Sequence, residues 1–237
     1  MTPFSSAPAS SPCAAGSWGG EAPFTGDPAD WRAVVHWRHG ERRRLHAGRQ
    51  ALSADGRDRI TRAIIGHLDA LLASVDLAGR VIAGYWPIRG EPDLRRWFQD
   101  QRRRGAILSL PVCDTPPQPM TFRRWQPDQD LQRGQLGILV PPPSAGTVTP
   151  DLVIAPLLDW DPQGHRLGLG AGDFDRTLAT ADPRPFCIGA GLQSARLSSI
   201  HPQPHDIPLH LIVTEAGLVA GHAGRLHADG SLPARRG

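Results

Sequence analysis

The sequence RLGLGAGDFDR, which begins at Arg166, combines residue types that suit the binding of a phosphate group. Gly168, Gly170 and Gly172 alternate with other residues, and a predicted helix opens directly after them. Glycines let backbone N–H groups approach an anion closely, and a helix N-terminus adds partial positive charge. The Arg166 guanidinium matches phosphate oxygens, and Asp175 could hold an accompanying metal ion. The alternative is a glycine-rich turn with an acidic helix cap; the segment matches neither the Walker A loop nor the Rossmann fingerprint.

The segment YWPIRGEPD begins at Tyr85 and follows a predicted strand, where open α/β sheets bind their ligands. Glu91 stands in its turn beside Gly90 and Pro92, so its carboxylate could accept hydrogen bonds from ring or amine N–H groups. An acid that favours the dipole of the next helix is the alternative reading. Trp86 offers either a face for stacking or a core side chain.

A third group of candidates lies in the loop HPQPHDIPLH, which precedes the last predicted strand. Asp206 is a candidate second carboxylate for a metal ion. His201, His205 and His210 are spaced by four and five residues. Because prolines interrupt this segment, the three histidines do not share one helix face, which argues against a zinc site.

The composition excludes several classes of protein. With 237 residues, 40% of them apolar, the chain suits one large domain with a sizeable core. No stretch approaches the ~18–20 apolar residues that span a bilayer, and no basic and apolar leader opens the chain. Cys13, Cys113 and Cys187 share no close spacing, which argues against a disulfide framework. We therefore expect a cytoplasmic protein that has no membrane partner.

The charge gives little support to a nucleic-acid partner. The chain has 26 basic and 23 acidic residues, a net charge of +3, and every basic residue is Arg. The Arg-rich segments 38–49 and 95–104 would suit RNA if stacking aromatics lay beside them. The aromatics nearby, Trp97 and Phe98, are predicted to belong to the core. We expect no nucleic-acid partner, and the sequence does not define the oligomeric state.

Apolar segments typical of buried strands alternate with helical segments along the chain. We predict strands at 80–87, 106–111, 151–158, 185–191 and 209–214, and helices at 29–52, after an N-cap at Ser53, and after Pro92. This alternation is typical of a parallel sheet whose two faces are covered. It predicts a single three-layer α/β/α domain over 28–221 with a mainly parallel, Rossmann-like sheet. Residues 1–27 and 222–237 are predicted to be disordered tails.

Two segments leave alternatives open. The alternating pattern at 119–125 favours either a hairpin or an edge strand. The proline-rich segment 140–150 could separate a smaller N-terminal half from the rest, or the strands on both sides of it could share one sheet.

Taken together, these motifs resemble the 5-formyltetrahydrofolate cyclo-ligase family, whose members are also called methenyltetrahydrofolate synthetases. The shared motifs are, in chain order, YWPIRGEPD from Tyr85, GILVP from Gly137, DLVIAP from Asp151, RLGLGAGDFDR from Arg166, and His205-Asp206 followed by Thr214-Glu215. The resemblance covers about residues 35–219, and RLGLGAGDFDR is its specific part.

The resemblance implies an enzyme that uses ATP and magnesium. Its substrate would be 5-formyltetrahydrofolate, with or without a polyglutamate tail, and its products would be 5,10-methenyltetrahydrofolate, ADP and phosphate. Phosphorylation of the formyl oxygen would turn that oxygen into a good leaving group. Such a reaction depends mainly on positioning and charge neutralisation.

The resemblance also implies roles for single residues. The ATP phosphates would be bound by Arg38 and Arg42 of the first helix and by the loop Arg166, Leu167, Gly168, Leu169, Gly170, Ala171, Gly172, Asp173 and Phe174. Arg166 and Asp175 would be catalytic, and Asp175 and Asp206 would hold magnesium. Trp86 and Glu91 would face the pterin.

Several residues depart from the family pattern. Asp173 stands where the family has an aromatic residue, and Phe174 lacks the usual hydroxyl. Arg38 replaces a lysine, His210 stands at a common aspartate position, and Leu136 occupies a position that is often aromatic. The negative charge of Asp173 should weaken anion binding nearby. The alternative function is therefore a non-catalytic or altered-substrate protein that binds a nucleotide or folate and keeps the same fold.

Overall fold

The computed structural model describes Trp18, residues 20–115 and residues 117–220. The helices are α1 (Trp31–Gln50), α2 (Ala54–Leu71), α3 (Arg95–Arg103) and α4 (Asp173–Thr180). The strands are β1 (Val81–Ala83), β2 (Ile107–Val112), β3 (Thr121–Arg124), β4 (Gln132–Arg133), β5 (Leu139–Val140), β6 (Leu152–Pro156), β7 (Asp159–Trp160), β8 (Arg166–Leu167), β9 (Phe186–Ala190), β10 (Leu211–Thr214) and β11 (Gly217–Ala220).

Seven strands form one mixed sheet in the order β11-β10-β9-β6-β1-β2-β3. The five inner strands run parallel, while β3 and β11 pair antiparallel at the two edges. The prediction of a mainly parallel sheet in an α/β domain is therefore confirmed. The segment 119–125 contains an edge strand, and the strands on both sides of 140–150 share the sheet. The first strand is much shorter than the predicted 80–87, because the chain leaves the sheet after Ala83.

Apolar side chains from the helices pack on the sheet. Ile64 and Leu68 of α2 and Trp97 and Phe98 of α3 join one cluster with strand residues, while Leu178 of α4 joins a second cluster. A Cβ at position 84 would lie 2.5 Å from the Phe98 ring, so glycine is required where α3 crosses the end of β1. The predicted cap at Ser53 is confirmed, since its side chain accepts a hydrogen bond from Gly56 N.

Helix α1 has an unusual buried face. Its buried residues, at helical spacing, are Val34, Trp37, Arg38, Glu41, Leu45 and Arg49. Trp37 packs with Leu197 and Ile200, and Leu45 packs with Leu158 and Leu192. The helix therefore lies over loops that follow the strands, and it carries charged groups into that interface.

The described part of the predicted N-terminal tail contacts the domain. Among residues 20–27, Glu21, Ala22 and Phe24 contact α1 or the loop at 198–201. Residues 1–17 and the tail predicted at 222–237 lie outside the described residues. Within the part of the chain that is described, no helix is long and apolar enough to cross a membrane.

His210 gives a pH-dependent contribution to stability. Its Nδ1 accepts a hydrogen bond from Cys187 N at 2.9 Å, and its ring stacks on Phe186. Burial and then the charge of Arg184 lower the pKa of His210 from 6.5 to about 4. Between these values the unfolded chain binds more protons than the folded one, so this contribution is complete above pH 6.5 and is lost as the pH falls.

We expect the unfolding free energy to fall by about 1–2 kcal/mol through this group between pH 6.5 and 4, after allowance for solvent screening. His210→Asn keeps an acceptor for Cys187 N but cannot titrate, so its unfolding free energy should fall less over the same range. Urea unfolding at several pH values measures this difference. Equal pH slopes in the two proteins would contradict the assignment.

Candidate active site

Every residue predicted for the site lines one cleft of about 330 Å³. The cleft opens at the carboxyl ends of parallel strands, where Tyr85 follows β1, Cys113 follows β2 and Pro156 ends β6. Residues of α1, of the glycine-rich loop and of the turn around Glu91 all line the cleft. The topology thus joins three segments that are remote in sequence.

Arg166 projects into this cleft from a short hairpin, β7–β8. Its Nη1 donates to Ile207 O at 2.9 Å, and its Nη2 lies 3.3 Å from Asp175 Oδ1. Nη2 is buried and makes no hydrogen bond with any described residue. The guanidinium also lies 5.4 Å from the Phe174 ring centroid. A buried donor without an acceptor is costly, so this group is prepared to bind an anionic oxygen.

The hairpin itself is held by two buried aspartates that the sequence analysis missed. Asp159 Oδ1 accepts from Leu167 N at 2.9 Å. Asp161 accepts from His165 N and, through its other oxygen, from Ile200 N. Burial raises the pKa of Asp159 well above its usual range. Their signal in the sequence was only an acidic pair beside a tryptophan, which predicts no particular partner.

The glycine-rich loop enters α4 through left-handed backbone. Gly170 has φ 106° and Gly172, the N-cap of α4, has φ 71°. Among the described residues, no side chain caps this helix end, so its first N–H groups have no capping acceptor there. Arg42 Nε donates to Gly168 O at 3.0 Å, which ties the loop to α1. Positive φ values and an uncapped helix end are features that a phosphate-binding loop needs, and phosphate binding by this loop stays a prediction.

Asp173 is paired within α4 itself. Its Oδ1 lies 2.5 Å from Arg176 Nη2, and both side chains are about one-third exposed or less. This ion pair offsets the negative charge that the sequence analysis expected to weaken anion binding.

Arg38 is held by a loop far along the chain. Its Nη2 lies 2.5 Å from Asp206 Oδ2, and both side chains are almost fully buried. Its Nε and Nη2 also donate to the carbonyls of Ile200 and His201, each at 2.9 Å. For Asp206, burial raises the pKa, but hydrogen bonds from Arg38 and from Gln203 N outweigh burial and lower it. Asp206 therefore stays ionised and fixes Arg38.

Glu91 also lines the cleft, and its side chain is 6% exposed. Burial raises its pKa, while a hydrogen bond from Ile88 N and the charge of Arg49 partly offset this effect. Trp86 meets Trp125 edge to face, and the guanidinium of Arg95 lies 4.8 Å from its ring centroid. Trp86 thus packs partly against the core and also lines the cleft, while its stacking on a ligand stays a prediction.

Arg49 is a cleft residue that the sequence analysis did not select. It is fully buried, donates to Arg89 O and Leu157 O, and has Nη2 3.8 Å from Glu91 Oε1. Its position on the same helical face as Arg38 and Arg42 was a usable signal. That signal was weak because every basic residue of the chain is Arg.

The two carboxylates predicted to hold magnesium differ in availability. Asp206 uses both oxygens to bind Arg38. Asp175 uses Oδ1 to accept from Ile207 N, and Oδ1 also faces Arg166. Among the described residues, no group of three or more His, Cys, Asp or Glu could hold a metal ion alone. Since magnesium commonly binds one or two carboxylates together with substrate phosphates and water, Asp175 fits such an ion better than Asp206 does.

Comparison with known proteins agrees with the motifs. A family model described as the 5-formyltetrahydrofolate cyclo-ligase family matches residues 34–215. A 5-formyltetrahydrofolate cyclo-ligase from Mycolicibacterium smegmatis is 30% identical over 167 residues, which cover 65% of this chain and 86% of that protein. One from Haemophilus influenzae is 30% identical over 138 residues, or 54% and 72% of the two chains.

Two solved structures share the fold. A 5,10-methenyltetrahydrofolate synthetase from Aquifex aeolicus has a TM-score of 0.66 and 26% identity, and covers 79% of this chain and 94% of its own. A 5,10-methenyltetrahydrofolate synthetase from Mycoplasma pneumoniae has a TM-score of 0.61 and 21% identity, with coverages of 75% and 98%. The second comparison supports the fold alone.

The conformation of the glycine-rich loop predicts different losses of stability when two of its glycines are replaced by alanine. Gly170→Ala places a Cβ on backbone with φ 106°, which L-residues rarely adopt, whereas a Cβ at Gly168 would meet no atom within 4 Å. We expect Gly170→Ala to lower the unfolding free energy by at least about 1 kcal/mol, and Gly168→Ala by less than about 0.5 kcal/mol. Chemical unfolding of both variants checks this expectation, and equal losses would contradict the loop geometry.

Proposed function

The chain belongs to the 5-formyltetrahydrofolate cyclo-ligase family, and on that premise we propose that it converts 5-formyltetrahydrofolate into 5,10-methenyltetrahydrofolate. The reaction consumes ATP in the presence of magnesium and releases ADP and phosphate. The observation that carries this proposal is the single cleft, which is lined both by a glycine-rich loop with neighbouring arginines and by a buried carboxylate, Glu91. The loop and its arginines suit a phosphate chain, and the carboxylate suits the N–H groups of a pterin.

The chemistry needs activation of a poor leaving group. The formyl oxygen attacks the terminal phosphorus of ATP and ADP leaves, which produces a phosphorylated formyl group. The folate nitrogen at position 10 then attacks the activated carbon and loses its proton, and inorganic phosphate departs with the former formyl oxygen. No protein nucleophile is required, so the chain contributes positioning and charge.

Three arginines are suited to the phosphate chain. Arg166 presents a buried Nη2 without a hydrogen-bond acceptor among the described residues. Arg42 adjoins the glycine-rich loop at Gly168, and Arg38 is fixed by Asp206 and two carbonyls. As negative charge shifts toward ADP, preorganised guanidinium groups stabilise it without having to reorient. Arg166 is therefore the proposed catalytic arginine.

Magnesium would neutralise part of the phosphate charge when bound. Asp175 is the carboxylate suited to hold it, directly or through water, and it also orients Arg166 through their close contact. Asp206 was predicted as a second ligand, and its engagement with Arg38 favours instead a role as counter-ion.

The ion pair between Asp173 and Arg176 favours a catalytic function over the alternative of a non-catalytic protein with the same fold. An unpaired carboxylate at the cradle would repel ATP, whereas a paired one repels it much less. The pair thus supports a working phosphate site despite this departure from the family pattern.

The direct test is formation of the methenyl product, followed by its near-ultraviolet absorbance. We expect product only when 5-formyltetrahydrofolate, ATP and magnesium are all present. Arg166→Ala and Asp175→Ala should each lower kcat at least about 100-fold, because the first removes a preorganised cation at the phosphate and the second removes the carboxylate that would hold magnesium and that orients Arg166. The control Arg62→Ala breaks only an exposed ion pair with Asp58 on α2 and should retain activity. ATP binding without turnover in the folded protein would favour the non-catalytic alternative.

The raised pKa of Glu91 predicts that the affinity for folate depends on pH. Its charged form would accept the pterin N–H bonds, and its raised pKa means that acidification neutralises it at a higher pH than an ordinary glutamate. We expect affinity for 5-formyltetrahydrofolate to weaken as the pH falls from 8 to 5. Glu91→Gln should bind about tenfold more weakly at pH 8 and show a flatter profile. Equilibrium titration at each pH measures this, and parallel profiles would exclude Glu91 as the titrating group.

A further inference from the structure

Residues 20–24, which we call the strap, precede the part of the chain matched by the family model, yet they are bonded to α1. Ala22 N donates to Glu41 Oε1 at 3.1 Å, and Ala22 O accepts from Trp37 Nε1 at 2.8 Å. Both partners lie on the buried face of α1. The strap is therefore fixed to the helix that carries the cleft arginines.

The strap also holds the loop at 198–201. Glu21 accepts from Ser198 through both carboxylate oxygens, from Oγ at 2.7 Å and from N at 2.8 Å. The Phe24 ring centroid lies 4.1 Å from that of His201 and 5.9 Å from that of Trp37. The strap thus bridges α1 and this loop on the outside of the cleft.

That loop orients Arg38. The carbonyls of Ile200 and His201 accept from its Nε and Nη2. His201 has φ 52°, a backbone conformation that non-glycine residues rarely adopt. Such conformations persist when the surroundings hold them, and here the rings of Phe24 and Trp37 pack against the His201 side chain.

We propose that the strap is a positioning element for nucleotide binding, in which Glu21 and Phe24 hold the loop that orients the Arg38 guanidinium. Neither side chain lines the cleft, so both act through the loop and not on the ligand. The inference rests on the proposed role of Arg38 in binding ATP. It gives residues 20–24, predicted as part of a disordered tail, a function in the site.

The test compares two ligands in one variant. In Glu21→Ala/Phe24→Ala, the Kd for ATP with magnesium should rise about tenfold, since a loosened loop no longer fixes the Arg38 donors. The Kd for 5-formyltetrahydrofolate should stay unchanged, because Glu91 and Trp86 keep their own supports. Ser198→Ala, which removes one donor to Glu21, should show a smaller effect of the same sign. Calorimetric titration measures both ligands.

The matched control is Asp69→Ala, which removes the acceptor of Trp97 Nε1 between α2 and α3, remote from the cleft. It should lower stability without changing the affinity for ATP, which separates positioning from general destabilisation. Phe24→Tyr keeps the ring and should retain wild-type affinity.

Arg38→Ala distinguishes failure of the positioning role of the strap from failure of the proposed ATP-binding role of Arg38. If Arg38→Ala weakens ATP binding and the strap variants do not, the positioning role is wrong while the proposed function stands. If Arg38→Ala leaves ATP binding unchanged, the positioning role fails together with the assignment of Arg38. An equal loss of affinity for ATP and for 5-formyltetrahydrofolate in Glu21→Ala/Phe24→Ala would also overturn the positioning role of the strap.

Discussion

The site depends on arginines that are buried on one face of α1. Burying a guanidinium costs several kcal/mol unless its donors meet acceptors. Arg38 meets Asp206 and two carbonyls, and Arg49 meets two carbonyls with Glu91 close by. These contacts join the first helix to loops after β1, β6 and β9, so the same bonds that stabilise the fold also shape the cleft.

Charge balance is a second feature of the residues that line the cleft. Each described aspartate that lines the cleft is paired with an arginine, as in Arg38–Asp206, Arg166–Asp175 and Arg176–Asp173. Only part of the donor capacity is used, since Arg166 Nη2 has no hydrogen-bond acceptor among the described residues. Glu91 also lines the cleft, with Arg49 Nη2 3.8 Å from its Oε1 and with a pKa that burial raises. The cleft therefore combines fixed cationic groups with a buried carboxylate.

Local patterns predicted much of this arrangement. The apolar runs identified the inner strands, because a buried parallel strand needs little more than continuous apolar residues. The glycines of RLGLGAGDFDR indicated a loop of unusual backbone conformation, and Gly170 and Gly172 have positive φ values that few other residues adopt. Where the prediction failed, the signal was not local: β1 ends at Ala83 although the apolar pattern continues, and the Phe98 ring of α3 leaves no room for a Cβ at the next residue, Gly84.

The sequence by itself determined the family, the residue types of the site and the strands that end there. Only the tertiary structure decided which charges pair. Arg38 and Asp206 are 168 residues apart, and nothing near either residue predicts the other as its partner. The same holds for Glu21 and Ser198, which join a predicted tail to the loop at 198–201. Such choices depend on how helices and loops pack over the sheet edge, because a buried charge takes whichever partner the fold brings within hydrogen-bonding distance.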